Sequence, residues 1–361
     1  MPAVTVAHDR LAERFRAFAA DPAHDTVYVE LAARIAEEPA ALSVVAEAPD
    51  LQARPVLLFA AVHDLVLAGA APALARCYPS AGGDPAAGDL ADGFLQVLVD
   101  QRAAVVERLR TRATQTNEVG RAGALLLAHA EITATTGRPL GIVELGASAG
   151  LNLWFDRYAY EYTDARTHTT SRLGAGDVLV RTERRAGAPA APAAIPAVGH
   201  RSGIDLEPLD PHDPTDARWL QACVWPDETD RLALLRAALA VAAGAPALVR
   251  PGDALDTVTA ALGEVPAGCT PVVVHSWMLT YVARDRRPAL AEALKAVAAR
   301  RGEPVWWVTM EAAGVVPGLA PRPTDGVSPT ILGLSVVHPG GAVEHRWAVP
   351  AHPHGRWVGA A

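Results

Sequence analysis

Cysteine, lysine and aromatic residues are scarce in this chain. The three cysteines among 361 residues, Cys77, Cys223 and Cys269, stand far apart. An odd number with no paired spacing excludes a disulfide framework and a cysteine-based metal centre. They read as buried thiols of a reducing compartment. Lysine occurs once, at Lys295, so arginine supplies nearly all the positive charge and its choice over lysine carries no functional signal. Basic clusters such as Arg181-Thr182-Glu183-Arg184-Arg185 are short and interrupted by acids, and the net charge is −8. That balance argues against nucleic acid as a main partner. A long hydrophobic run is also missing: the apolar stretch around Val56–Ala71 is broken by His63 and Asp64, whereas a membrane span needs roughly 20 uninterrupted residues. The first residues carry no basic-then-apolar signal pattern. The expectation is a cytoplasmic protein without a membrane partner.

What is present falls into two textures. Up to about residue 137, apolar positions recur at helical spacing, as in Leu11, Phe15, Phe18 and in Val27, Leu31, Ile35. Asp84 to Gly93 breaks this with glycine and proline and reads as a loop. From Gly141 onward, short apolar runs alternate with helical stretches. The runs are 141–145, 203–205, 247–250, 270–276 and 304–310; the helices are 216–221, 227–243 and 286–300. Continuous apolar strands separated by helices predict a mostly parallel sheet covered on both faces. Residues 331–349 read as strand, Pro-Gly-Gly turn and strand, an antiparallel hairpin. The expected organisation is therefore a helical cap over 1–137 and an α/β domain over 138–361. The alternating Tyr158, Tyr160 and Tyr162 begin an insertion at about 158–200, in which Val178–Arg181 could pair with them.

The most informative stretch is V-E-L-G-A-S-A-G-L-N, residues 143–152. It fits G-x-S-x-G, the elbow that presents a nucleophilic serine in hydrolases, with Ser148 as the nucleophile. It also fits the glycine-rich turn after the first strand of a nucleotide-binding sheet. Order along the chain favours the second reading. About 140 mostly helical residues come first, and no oxyanion loop of the HGGG type lies upstream.

E-L-G-A-S-A-G (144–150) resembles the first motif of class I S-adenosylmethionine-dependent methyltransferases, D/E-x-G-x-G-x-G. The segments G-I-D-L-E-P-L-D (203–210), R-P-G-D-A-L-D (250–256) and P-V-V-V-H-S-W-M-L-T-Y-V (271–282) resemble that family's second-, third- and fourth-strand segments in order. The final hairpin is similar to its reversed last strand. T-N-E-V-G-R (116–121), E-L-G-A-S-A-G-L-N-L and the run from R-S-G-I-D-L to V-W-P further resemble a bacterial family named as domain of unknown function 2332. The methyltransferase resemblance implies a Rossmann-like fold and S-adenosylmethionine as cofactor. By it, Glu144, Gly146, Ala147, Ser148, Gly150 and Asn152 hold the methionine end, Asp205 with Leu206 the ribose, and Asp253 with Ala254 the adenine amine. His275 and Ser276 flank the transferred group, with His275 as a candidate general base. Asn117, Glu118, Arg121 and Tyr158 are candidates for a small-molecule substrate, and no metal is implied. The pattern departs from the family twice. Ser148 stands at the middle glycine, and Asp205 lies 59 residues beyond Gly146 where roughly 20 is usual, so the ribose acid is either Asp205 or one nearer Glu161.

Several of these residues have a plainer reading. Asp253 also suits a helix cap, and Asn117 with Glu118 a cap with an acid in the first turn. Asp210 to Asp216 reads as a turn plus cap rather than a metal site. His63-Asp64 reads as a satisfied polar pair, and His352 and His354 as loop residues. The reactions expected are methyl transfer to a small molecule, or transfer or cyclisation of the aminocarboxypropyl arm. A nucleoside sensor without turnover and a serine hydrolase using Ser148 remain alternatives.

Overall fold

The computed structural model describes residues 2–22, 24, 26–49, 52–246, 248–320 and 329–360, with the side chains of 2–7 left aside. The chain divides into two compact units: 1–116 with 213–236, and 117–212 with 237–361.

The first unit is helical: α1 (Pro2–Ala20), α2 (Tyr28–Ile35), α3 (Pro39–Val45), α4 (Pro55–Leu67), α5 (Pro72–Ala75), α6 (Leu90–Asp100) and α7 (Arg102–Thr111). Three of these, α3, α4 and α5, open on proline at the first turn, where its missing N–H costs nothing. The Asp84–Gly93 segment is less irregular than its composition predicts, because Asp89 caps α6 by accepting the Asp92 N–H, and the helix starts at Leu90. His63 and Asp64 are buried on α4, but they do not pair with each other. His63 bonds Ser80 Oγ (2.7 Å) and Ala222 O (3.0 Å), and Asp64 takes Nε–H from both Arg108 and Arg218 at 2.8 Å.

The second unit begins with α8 (Arg121–Thr136) and β1 (Leu140–Leu145). Then follow β2 (Ala159–Asp164), β3 (Thr170–Leu173), β4 (Leu179–Arg184) and β5 (Val198–Asp205). The chain next supplies α9 (Pro214–Ala222) to the first unit, and α10 (Thr229–Ala243) runs from the first unit into the second. It closes with β6 (Val249–Pro251), α11 (Ala254–Gly263), β7 (Thr270–Ser276), α12 (Pro288–Arg301), β8 (Val305–Ala312), β9 (Thr330–Val337), β10 (Val343–Ala351) and β11 (Trp357–Val358). Of the expected 247–250 run, Ala247 lies outside the described residues.

The strands form one mixed sheet in the order β3-β2-β4-β11-β10-β9-β8-β7-β1-β5-β6. β6, β5, β1, β7 and β8 are mutually parallel; β9 and β10 run as an antiparallel meander from β8. Every residue of β1 is buried, as a strand inside such a sheet requires. Val143, Leu145, Val273, Trp307 and Val337 join α11 and α12 in one apolar cluster. By the alternation of side chains, Ile142 and Glu144 point to the opposite face.

Three expectations change. The compact units divide at 116/117 rather than 137, because α8 packs on β4, β8 and β9 of the sheet, and α9 returns to pack on α4. The 158–200 insertion contains the tyrosine strand paired with 179–184, but that pairing is parallel; the hairpin partner is the exposed β3. β5 starts at Val198, five residues before the apolar run, because its first half is only partly buried and reads as polar.

Candidate functional site

The chain leaves β1 toward β5 on one side and later returns to β7 on the other. The crevice at the carboxyl ends of β1 and β7 is thus the point where the strand order reverses, the usual ligand position in open α/β sheets. The turn at this point, 146–150, is held from β5. Gly146 and Ala147 N–H both donate to Ile204 O, at 2.8 and 3.1 Å, and Ser148 N–H donates to Asp205 Oδ2 at 2.8 Å. Three residues of the turn have left-handed backbone: Gly146 (φ 72°), Ser148 (φ 54°) and Gly150 (φ 72°). Glycine adopts this at no steric cost, whereas serine pays for it. A Cβ on Gly146 would lie 2.6 Å from Met278 Cγ, and one on Gly150 would lie 2.8 Å from Val249 Cγ2. Both glycines therefore let the turn pack under its neighbours.

A 3-10 helix, Leu151–Arg157, follows the turn with a kink at Trp154. Arg201 of β5 fixes it, bonding Leu153 O and forking onto Asp156 at 2.7 and 2.8 Å. Its first N–H group, of Leu151, is already taken by Asn117 Oδ1 at 3.2 Å. Asn117 thus caps this helix and not its own.

Glu144 is the central group. It is 3% exposed, and its Oε2 has no partner among the described residues; the same holds for Oδ1 of the neighbouring Asn152. Burial pushes the Glu144 carboxyl up to about 8; Arg121 opposes this, Asp205 adds to it, and a hydrogen bond from the Asn152 side chain lowers it in turn. Asn152 donates its amide to Glu118 O at 3.4 Å. Glu118 accepts from Gly120 N–H and lies 3.0 Å from His354 Nδ1. Arg121 donates Nε–H to Pro353 O (2.8 Å) and Nη1 to Ser276 O and Oγ (3.2 Å each). The segment 117–121, the tail loop 352–355 and Ser276 therefore form one wall around the turn. A Cβ on Gly355 would lie 2.1 Å from Gly120 O, so glycine there is a condition of this contact.

The residues expected from the sequence separate accordingly. Glu144, Gly146, Ala147, Ser148, Gly150, Asn152, Asp205, Asn117, Glu118, Arg121 and Ser276 come together at this edge. Three do not keep the roles expected for them. His275 is fully buried on the other face: it shares Nδ1 with Glu311 Oε1 (2.7 Å) and accepts Trp307 Nε1–H at Nε2 (3.0 Å), so neither ring nitrogen is left for a substrate proton. Tyr158 is a core residue whose hydroxyl donates to Leu151 O at 2.6 Å, which closes the 3-10 helix and leaves nothing for a substrate. Asp253 caps α11 through Leu255 N–H (2.8 Å) and pairs with Arg286 (3.1 Å). Of the neighbours, Ala254 is the first residue of α11, and Leu206 is 72% exposed beyond β5. The turn-plus-cap reading of 210–216 matches the geometry: Asp210 accepts His212 N–H and Asp213 accepts Thr215 N–H.

Sequence reasoning missed His354, Glu311 and Trp277. His354 sits in a tail with no motif, and Glu311 is 36 residues from the histidine it holds. Trp277 has left-handed backbone (φ 54°) directly after β7, and its buried indole N–H has no partner among the described residues. Strained backbone of this kind gathers at functional sites.

Among the described residues, no cluster of histidine, cysteine and acidic side chains has the arrangement to hold a metal, and no helix is long and apolar enough to cross a membrane. A family model described as "Uncharacterized protein conserved in bacteria (DUF2332)" matches residues 12–359. No curated protein matches the chain.

Proposed function

For this chain, which belongs to the DUF2332 family, we propose that the sheet unit binds S-adenosylmethionine at the carboxyl edge of β1 and transfers its methyl group to a small molecule. The observation that carries this reading is the pair of buried, unpartnered acceptors, Glu144 Oε2 and Asn152 Oδ1, beside the left-handed turn. Two acceptors without donors suit an ammonium group, as on the methionine end of this cofactor. Three further features support it. Numbered from the first strand of the unit, the parallel strands follow the order 3-2-1-4-5 of a doubly wound Rossmann-like sheet. The helix after the turn is short, and its Leu151 N–H is occupied, which suits a ligand without phosphate better than a dinucleotide. Glu144 and Asp205 are mutually repulsive acids at one point, and a cationic ligand relieves that repulsion.

When bound, the sulfonium supplies an already activated methyl group. The chain's own residues then have to hold and orient: Asp205 fixes the turn through Ser148 N–H, and the 117–121 wall fixes Asn152. The engagement of both His275 nitrogens favours a second reading, a nucleoside sensor without turnover. The Ser148 hydrolase reading is weakened by the burial of that side chain, which an elbow nucleophile would expose. Transfer of the aminocarboxypropyl arm is separated from methyl transfer by its product, methylthioadenosine instead of S-adenosylhomocysteine.

Calorimetric titration with S-adenosylmethionine and S-adenosylhomocysteine tests the reading. Micromolar binding that falls at least about tenfold in Asp205→Ala, a loss of about 1.4 kcal/mol, supports it. Absence of binding by either nucleoside ends it.

A further inference from the structure

Among the described residues other than glycine, three have left-handed backbone: Ser148, His168 and Trp277, at φ 54°, 55° and 54°. His168 lies in the turn between β2 and β3. The other two follow β1 and β7, the adjacent strands whose ends form the crevice. This conformation is costly for a bulky side chain such as tryptophan, so the surroundings must hold Trp277 in it.

They do so from both sides. Before it, Ser276 O and Oγ accept from Arg121 Nη1 at 3.2 Å each. Its own N–H donates to Met310 O at 2.9 Å, and the N–H groups of Met278, Leu279 and Thr280 converge on the Glu311 carboxylate. Met278 packs on Gly146 so closely that a Cβ there would lie 2.6 Å from Met278 Cγ. The strained residue is thus fixed beside the turn that follows β1.

Its hydrogen bonding is incomplete. The residue is half-buried, yet its Nε1–H is enclosed and has no partner among the described residues. An indole N–H can only donate, and a buried one normally finds an acceptor. Tyr281, at the other end of the same connection, is 79% exposed; among the described residues Leu206 and Val99 are the other large apolar side chains so open.

We propose that Trp277 recognises the small molecule to be methylated: its indole N–H donates to a carboxylate or carbonyl oxygen of an aromatic compound whose ring lies against Trp277 and Tyr281. The fixed backbone presents the donor at one position, which is a use for the strain. A carboxylate makes the stronger, charge-assisted bond, and a neutral carbonyl a weaker one. An ammonium brings donors only and leaves the indole N–H unmatched, so it is disfavoured. That the occupant is methylated rests on the cofactor reading; the subsite does not.

The test follows the indole N–H signals of the eight tryptophans by nuclear magnetic resonance in the whole 15N-labelled protein. Trp277→Phe, which keeps a ring and removes the donor, assigns the Trp277 signal by its loss; Trp277→Tyr assigns it should the first variant not fold. With S-adenosylhomocysteine bound, benzoate should move that signal downfield, benzamide should move it less, and benzylamine should leave it in place. The variant should bind S-adenosylhomocysteine as the parent does and benzoate at least about tenfold more weakly. A Trp277 signal unmoved by benzoate and benzamide, one moved equally by benzylamine, or undiminished benzoate binding in the variant overturns the proposal while leaving cofactor binding intact. If S-adenosylhomocysteine does not bind, the cofactor reading falls, and the same titrations of the protein alone decide the subsite by the same outcomes.

Discussion

Glu144 and Glu311 are both buried glutamates near the ends of parallel strands, with β7 between them and on opposite faces of one sheet. Their surroundings could hardly differ more. Glu311 receives His275 Nδ1 and the N–H groups of Met278 and Leu279 on Oε1, and the N–H and hydroxyl of Thr280 on Oε2. Burial alone would raise its carboxyl, but the bond from His275 and those from the 278–280 turn outweigh it, and it is held below the usual range. Glu144 has burial of the same order and no donor on Oε2, and it is held near 8. Burial therefore does not decide whether a carboxylate exists inside this sheet; the count of donors does. The donor-rich glutamate is a structural knot, and the donor-poor one is held with its proton near neutrality.

The largest expected effect comes from untying the knot. Glu311→Ala strands five donors and should cost about 3–5 kcal/mol, as for a broken buried pair. Denaturant midpoints measure it, and a loss below about 1 kcal/mol would mean the 278–280 turn is held by packing instead. Because the folded pKa of Glu311 is depressed, its contribution is full above the ordinary glutamate value of 4.5 and is lost as pH falls below it.

Glu144 has the opposite sign. Its folded form binds a proton that the unfolded form gives up above 4.5, so stability falls as pH rises from there to about 8. Glu144→Gln removes that penalty. The variant should match the parent near pH 4.5 and gain on the order of 2–4 kcal/mol above pH 8. A difference that does not change with pH would falsify the contrast between the two glutamates.

How much of this the sequence displays depends on range. The strands at 141–145, 270–276 and 304–310 are legible because burial on both faces leaves continuous apolar runs. Caps and Asx turns at Asp213 and Asp253 are legible because donor and acceptor lie two residues apart. β3 is not, since its residues are exposed and its pairing is set by β2. His275 is conspicuous as a polar residue at a strand end, but its partners come from β8, and only the register of β7 against β8 brings them to it. The same limit hid His354, whose contact with Glu118 joins segments 236 residues apart along the chain. The glycine-rich turn itself was legible; that its middle serine would be left-handed was not.

His129 sharpens the comparison from the basic side. It is 2% exposed beside Phe155, neither ring nitrogen has a partner among the described residues, and burial drives its pKa down to about 3. The folded form stays neutral where the unfolded form protonates, so it lowers stability as pH falls from 6.5 toward 3. His129→Leu should raise stability by about 1–3 kcal/mol near neutrality and by more in acid. An unchanged acid limb in the thermal melts would point to a hidden partner for the ring.

The smallest effect is expected at Ser148, and it separates fold from function at the turn. A left-handed conformation costs a non-glycine residue roughly 1–2 kcal/mol, and glycine returns roughly 0.5–1 kcal/mol of that as unfolded-state entropy. Ser148→Gly should therefore stabilise the protein by no more than about 1 kcal/mol, while Ser148→Ala keeps the strained φ of 54° and gains nothing. If the serine is retained for its hydroxyl, both variants should lose affinity for S-adenosylhomocysteine by similar factors despite their different stabilities. If only the backbone matters, Ser148→Gly should bind as the parent does, because the Ser148 N–H to Asp205 bond that shapes the turn needs no side chain at 148.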